Sequence, residues 1–410
     1  MSELKDKVIV QKFGGTSVKN PERIRAVAQR AAILRKTQDN IVIVVSAMGD
    51  TTDRLVQLSK DISTKPDSRE YDALISTGEN VSASLLAMCL IDMGIDAISL
   101  TGLQAGVKTE GLYMKSKIID VDTTRLEKEL KAGKVVIVTG FQGFNASQDI
   151  TTIGRGGSDT SAVVLAAALG SKECEIFTDV DGVYTTDPRR ISDASKLTAI
   201  SYEEMLELAS LGAQVLHPRA VECAKENNIV LHVRSSYSSN EGTRVQEAKK
   251  MEVYKPVTGV AVNENESIIS VLDIPDEPGF AGRLFTQLSD HKINIDMIIQ
   301  NVEKDTTNNI SFSVLEDDLD QAKAITEAFA SSNGAGKVTS NGAIAKVSAV
   351  GVGMISKPGT AAKMFTALGD AGINIKRITT SEIKISCAID RADASRALET
   401  LHKAFDLDNA

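Results

Sequence analysis

The sequence has 410 residues, enough for two or three domains, and its 42% hydrophobic and 25% charged content is that of an ordinary globular chain. A net charge of −9 argues against nucleic acid or an anionic membrane as the main partner, and 4% aromatics without tryptophan leave no base-stacking platform. Four dispersed cysteines without a Cys-x-x-Cys pair, four scattered histidines, no leader ahead of the first strand and no apolar run of membrane length predict a reduced, cytoplasmic protein without a disulfide frame or metal cluster.

The first part of the chain alternates short β-branched runs with helical segments. Val8-Ile9-Val10 predicts a strand ending in Lys12-Phe13-Gly14-Gly15, and Asn20-Pro21 a capped helix to about Thr37. Ile41 to Val45 is wholly apolar, as a strand buried on both faces should be. A long helical stretch covers roughly Arg69 to Met93, with a break near Gly78. Further strands are predicted at 97–100, 135–138 and 175–177, and further helices at 122–132, 158–169 and 201–211, the last with a Ser201/Glu204 capping box. This alternation implies a mostly parallel sheet covered on both faces, with its ligands beyond the carboxyl ends of the strands.

The composition shifts between Asn240 and Lys255, and an internal repeat follows. Residues 278–288, from Pro278-Gly279-Phe280, match 358–368, from Pro358-Gly359-Thr360, and Ile293-Asn294-Ile295 matches Ile373-Asn374-Ile375 without a gap. Each copy reads as a small α+β module. The second lacks a last strand of its own, so an earlier segment is predicted to fill that edge, with the first copy inserted between. The predicted domains are 1–248, then 249–410 with one module at about 265–342 and another at about 343–410 plus a strand at 253–263.

Three glycines precede the alanine-rich helix in Gly154-Arg155-Gly156-Gly157-Ser158-Asp159. That is the composition of an anion-binding helix start, with Arg155 able to clamp a carboxylate or phosphate; the same residues would also make an ordinary turn capped by Ser158 or Asp159. There is no Walker sequence and no dinucleotide fingerprint. Lys12 beside Gly14 and Gly15 offers another route to a phosphoryl group. Phe177 to Arg189 concentrates acids, hydroxyls and Tyr184; it is compatible with a β-turn at Asp181-Gly182 and with a nucleoside pocket around it. Glu79 would hold an ammonium group if the Gly78 break faces the crevice, whereas Ser46 and Thr52 read most simply as helix caps.

Taken together, KFGGTSV at Lys12–Val18, VVSAMG at Val44–Gly49, STGE at Ser76–Glu79, GRGGSDTSA at Gly154–Ala162 and FTDVDGVYTTDPR at Phe177–Arg189 resemble the aspartate kinases, monofunctional bacterial members of the amino acid kinase superfamily. EMLELASLGAQVLHPRAVE at Glu204–Glu222 and VRSSY at Val233–Tyr237 extend the likeness, and the repeat resembles paired ferredoxin-like ACT modules.

The resemblance implies transfer of the γ-phosphoryl group of ATP, with Mg2+, to the side-chain carboxylate of L-aspartate, at the head of lysine, threonine and methionine synthesis. It implies that Lys12 stabilises the transferring group, that Arg155 and Glu79 grip the substrate's carboxylate and ammonium, and that Thr52 and Ser158 add hydrogen bonds. Asp159 would orient the lysine or the metal environment. Ser46, Gly14 and Gly15 would lie near the phosphates, and Thr178, Asp179, Tyr184 and Arg189 would form the ATP pocket. Gln214 stands where many relatives carry a lysine reaching ATP.

Feedback by lysine, threonine or both would act through Asp276, Gly279, Phe280, Ala281, Asn294, Asp296 and Gln300 of the first module. Asn374, Ile375, Thr380, Ser381 and Glu382 of the second would add a site at the module interface. A homodimer or larger even assembly is expected, and Met251 stands where some relatives start a separate regulatory subunit. Alternatives are another amino acid kinase, acting on glutamate, N-acetylglutamate or UMP, and a catalytically inactive amino-acid sensor.

Overall fold

The computed structural model describes residues 7–211, 215–248, 255–304 and 307–409, so Gln214 and Met251 lie outside the described residues. The chain forms two units. One runs to Tyr184 and resumes from Lys196 to Met251; the other joins Thr185–Ser195 to the residues from Glu252 onward.

The first unit contains strands β1 (Val8–Phe13), β2 (Asn40–Val45), β3 (Ala97–Leu100), β4 (Val107–Glu110), β5 (Lys117–Val121), β6 (Val135–Thr139), β7 (Gln142–Phe144), β8 (Ile150–Thr152), β9 (Glu173–Thr178), β10 (Ala199–Ser201), β11 (Val230–Ser235) and β12 (Thr243–Gln246). Its helices are α1 (Pro21–Leu34), α2 (Thr51–Ile62), α3 (Ser68–Ile75), α4 (Thr77–Asp92), α5 (Thr124–Lys131), α6 (Gly157–Ala168), α7 (Tyr202–Ser210) and α8 (Pro218–Asn227).

Eight strands form one sheet in the order β10-β12-β11-β9-β1-β2-β6-β3, parallel except between β11 and β12. Residues 41–45 and 135–138 are fully buried, as unbroken apolar runs in a doubly covered sheet must be. Asn20 caps α1 by accepting from the Arg23 N–H, and the Ser201/Glu204 capping box starts α7. A separate four-stranded sheet, β5-β4-β7-β8, was not legible in the sequence, because its strands are short and partly polar. Contrary to expectation, Ser68–Asp92 is long and apolar enough by composition to cross a membrane; half of that window is buried inside the protein, as in a core helix pair.

The second unit holds β13 (Gly259–Pro275), α9 (Phe280–Asp290), β14 (Ile298–Lys304), β15 (Thr307–Leu315), α10 (Leu319–Ser332), β16 (Val338–Val350), α11 (Thr360–Asp370), β17 (Arg377–Thr380), β18 (Lys384–Asp390) and α12 (Ala394–Ala404). All six strands join one antiparallel sheet, β14-β15-β13-β16-β18-β17. The two repeats share its long central strands. Gly259–Asn263 pairs with Lys346–Val350 of the second copy, and after a register shift Ile268–Val271 pairs with Val338–Asn341 of the first. Each copy has its own core, around Phe280, Phe312 and Phe329 in one and Met364, Leu398 and Phe405 in the other.

Thr185–Ser195 falls within the 1–248 stretch of sequence but packs in the second unit. The Thr185 hydroxyl meets His402 Nε2 at 3.2 Å, its carbonyl accepts from the Val260 N–H, and Ser195 Oγ donates to the Asp408 carbonyl at 2.6 Å.

Candidate active site

Four neighbouring strands of the large sheet deliver their carboxyl ends to one edge of the first unit. Phe13 of β1 stands in register with Val45 of β2 and Phe177 of β9, and Val45 with Thr139 of β6. The loops after these ends carry Gly14-Gly15, Ser46, Gly140 and Asp179. They are tied to one another by backbone bonds from Gly14 to Phe177, Ser46 to Phe13, Gly49 to Gly15 and Gly140 to Val45. Gly15 must be glycine, because a Cβ there would stand 2.9 Å from the Ala47 carbonyl oxygen. Phe13 and Phe177 stack beneath, centroids 4.6 Å apart.

Lys12 rises from the end of β1, and its Nζ lies 2.6 Å from Asp159 Oδ1, in the first turn of α6. Gly14 leaves room for the ammonium: a Cβ at that position would be 3.3 Å from Nζ. No side chain caps α6, contrary to the simpler reading of Ser158 or Asp159 as caps, so the first turn presents backbone N–H groups and the positive dipole end beside a lysine. Ser158 is buried under Gly140, where a Cβ would fall 2.7 Å from its Oγ.

The start of α6 is held from a direction the sequence reading assigned no role. Gly156 has φ +70°, and a Cβ on it would reach within 2.0 Å of the His217 ring. His217 caps α8 by accepting from the Arg219 N–H, and Arg219 Nη1 donates to the Ile153 carbonyl at 2.6 Å. Burial lowers the His217 pKa, with Asp159 pulling it the other way. The signal was His217-Pro218-Arg219, a histidine directly ahead of a helix-starting proline.

Glu79, in the first turn of α4, is 3% exposed. Its Oε1 accepts from the Ala47 N–H at 3.0 Å, while its buried Oε2 has no partner, and burial lifts the carboxyl to about 7. Gly78 allows this approach, since a Cβ would lie 2.8 Å from that of Ala47. Ser46 is half-buried, and its carbonyl accepts from Ser82 Oγ at 2.7 Å. Thr52 sits half-buried in the first turn of α2, itself without a side-chain cap. Arg155 is exposed and makes no side-chain hydrogen bond or ion pair among the described residues. The loops and helix starts at this edge thus carry five polar groups: an ammonium, a carboxylate against it, an orphaned carboxyl oxygen, an unengaged guanidinium and an open helix start.

Beyond β9, Thr178 Oγ1 donates to Asp179 Oδ1 at 3.0 Å. Burial, reinforced by the 2.7 Å hydrogen bond that the Tyr184 hydroxyl donates to Asp181, pushes Tyr184 up to about 12. Tyr184 makes an isolated bridge to Lys196, so the Asp181-Gly182 turn does not join two full strands. Arg189 belongs to the second unit, bound to Asp187 by two side-chain bonds of 3.0 and 2.9 Å.

In the second unit Gly279, at φ +89°, starts α9, and the Phe280 ring turns into the core against Phe329. Ala281 is half-buried on α9, and Asp276 accepts from Asn308 at 2.8 Å. Asp296 is paired with Lys346, which also meets Glu266 at 2.7 Å. Asn294 and Gln300 are exposed, Gln300 on edge strand β14. Asn374 is exposed, Ile375 packs on the second core, and Thr380, Ser381 and Glu382 are exposed at the end of β17, the opposite edge.

Comparison with known proteins is consistent along the chain. The amino acid kinase family model matches residues 7–235, and ACT domain models match 267–332 and 347–405. An aspartokinase of a Bacillus species (strain MGA3) is 49% identical over 400 residues, 98% of this chain and 97% of that protein. The crystal structure of an aspartate kinase from Synechocystis is 46% identical, covering 97% of this chain and 69% of that one, with a TM-score of 0.55. Escherichia coli aspartokinase III, solved with aspartate and ADP, shares the fold at a TM-score of 0.80 and 23% identity, covering 97% and 99%.

Proposed function

The chain belongs to the amino acid kinase family, among the aspartokinases with two ACT domains, and from that premise we propose that it transfers the γ-phosphoryl group of ATP to the side-chain carboxylate of L-aspartate, giving 4-phospho-L-aspartate. The observation that carries this reading is the Lys12–Asp159 pair beside the open start of α6. A carboxylate nucleophile is already ionised at neutral pH, so the site needs no general base; it needs alignment and neutralisation of the charge on the transferring group. Lys12 and the α6 N–H groups supply that charge, and Asp159 fixes the ammonium in place. Magnesium enters with ATP as part of the substrate, and the Asp159 carboxylate is a hard oxygen donor suited to it.

Glu79 and Arg155 have opposite charges to the ammonium and α-carboxylate of aspartate, and Thr52 and Ser158 add hydroxyls. Ser46, Gly14 and Gly15 would serve the phosphates, while Thr178, Asp179 and Tyr184 of the same unit would serve the rest of the nucleotide. Lysine or threonine would bind the Pro-Gly turn of the first module near Asp276 and Asp296, with Asn374, Ile375 and Thr380–Glu382 contributing from the second. The edge strands β14 and β17 suit pairing with a second copy, which favours a homodimer or larger even assembly, and four free cysteines suit the reducing cytoplasm.

An ADP-release assay with aspartate, glutamate, N-acetylglutamate and UMP tests the reaction. Turnover with aspartate alone is expected. Turnover with another acceptor but not aspartate assigns a different kinase, and none with any leaves the sensor. Light scattering across a concentration series tests assembly, and a monomer throughout overturns it.

A further inference from the structure

On the face of the large sheet that carries α1, the pleat brings one set of polar residues to the same side: Gln11 of β1, Glu173 and Glu175 of β9, and His232 and Arg234 of β11. Beside α1 all of these but His232 line a cavity of about 880 Å3, which none of the residues assigned to ATP or aspartate lines. Five cationic side chains and two acidic ones line it, in a chain whose net charge is −9. Arg30 and Arg234 both lie against the Phe177 ring, at 4.7 and 5.6 Å, and Arg23 covers Tyr237 at 3.9 Å.

Glu175 neutralises Arg234 at 2.6 Å, but no carboxylate lies within ion-pair distance of Arg23 or Arg30 among the described residues; both donate to backbone carbonyls of residues 235–238. The Nε atoms of Arg23 and Arg234 are buried without partners, as is Oε1 of Gln11, itself 2% exposed. Half-buried guanidiniums with no carboxylate at ion-pair distance are costly, and an anion would relieve that cost. Burial and the neighbouring Arg234 and Arg23 lower the Arg30 pKa, partly offset by Glu175, in keeping with this crowding.

We propose that this cavity binds a small polyanion bearing phosphate or carboxylate groups, gripped by Arg23, Arg30 and Arg234 with Lys7 and Lys172 at the rim. Its apolar wall of Ile9, Leu34 and Phe177 takes a non-polar body attached to the anionic head. The site touches the catalytic edge through its own wall. Arg23 holds the Ser236 carbonyl at 2.7 Å, Ser236 Oγ meets Ser17 Oγ at 2.9 Å and the Thr178 carbonyl at 3.0 Å, and the Tyr237 hydroxyl donates to the Thr16 carbonyl. Occupancy therefore stiffens the loops after β1 and β9 and changes KM for ATP.

The test is equilibrium dialysis of the full chain with radiolabelled inorganic pyrophosphate, and in a second arm with citrate, both with ADP and aspartate saturating. About one probe per chain is expected, and the better-retained probe names the head group. Arg30→Gln should weaken retention about tenfold or more, as losing a charged donor does. Lys172→Glu, at an exposed rim position, should weaken it several-fold while leaving the Arg30 hydrogen bonds intact, and decides the matter if Arg30→Gln does not fold. Retention of neither probe, or wild-type affinity in the variants that fold, overturns the proposal.

Discussion

The Lys12 ammonium at the end of β1 and the Asp159 carboxylate in the first turn of α6 meet at 2.6 Å, with 12% of each side chain left exposed. The carboxylate anchors the lysine by charge, and the N–H donors of the ammonium remain available to a phosphoryl oxygen. Lys12→Ala should lower kcat by about a hundredfold or more, as loss of a charge contact in the transition state does. Steady-state kinetics check this, and a kcat within a few-fold of wild type removes the assigned role.

Glu79 gives a pH dependence of definite sign. Its carboxyl holds a proton up to about 7 in the folded chain, against an ordinary 4.5, because of burial. The native state therefore binds more protons than the unfolded one between these values, and stability falls as pH rises from about 4.5 through about 7. Glu79→Gln should be more stable than wild type at pH 8, by up to about 3 kcal/mol, and no more stable at pH 4. Binding an ammonium requires the ionised form, so KM for aspartate should fall as pH rises through about 7 in wild type and stay flat and high in the variant. Urea melts and KM values across pH 5–8 test both parts.

Arg155 is exposed and unengaged, so its removal should cost the fold nothing. Arg155→Ala is expected to raise KM for aspartate about tenfold or more, as loss of a charged carboxylate clamp would, with the melting temperature unchanged. A lowered melting temperature would mark it instead as a structural residue.

Gly156 and Gly372 share nearly the same backbone, φ +70° and +68°, but only Gly156 faces a neighbour within 4 Å, the His217 ring. Gly372→Ala should cost about 1–2 kcal/mol for the left-handed backbone alone. Gly156→Ala should cost more and also depress kcat, since it pushes α8 off the start of α6. Equal costs in chemical denaturation would show that the His217 contact is soft.

Lys346 is 4% exposed; burial pushes its pKa down, but Glu266 and Asp296 outweigh that and hold it raised. Lys346→Met would strand the buried Glu266 carboxylate and cost about 3–5 kcal/mol, with Lys346→Met/Glu266→Leu recovering most of it. The Asp296 side chain is 49% exposed, so Asp296→Ala should cost under about 1 kcal/mol. It should raise the lysine or threonine concentration needed for inhibition and leave uninhibited kcat nearly unchanged. Denaturation and inhibition curves of the three variants decide, and a wild type that ignores millimolar lysine and threonine, singly and together, removes the regulatory reading.

Much of this protein is decided locally and was therefore legible in the sequence. The unbroken apolar runs at 41–45 and 135–138 could only be strands buried on both faces, Asn20-Pro21 could only start a helix well, and the repeated Pro-Gly turns marked two modules of one kind. Glycines at 14, 15 and 156 were visible as places where the backbone comes close to something, but their neighbours, the Lys12 ammonium, the Ala47 carbonyl and the His217 ring, were not. Pairings between distant segments leave no such local mark. That Lys12 faces Asp159, that His217 demands glycine at 156, and that Asp296 already holds Lys346 follow from which strand ends and helix starts the sheets bring together. Thr185–Ser195 shows the same limit: in sequence it continues the Phe177–Tyr184 run without a break, yet its hydrogen bonds to Val260, His402 and Asp408 place it in the other unit. Local sequence determines which backbone shapes are cheap; only the register of remote strands determines which charges must share a desolvated space, and there the chemistry of the site is settled.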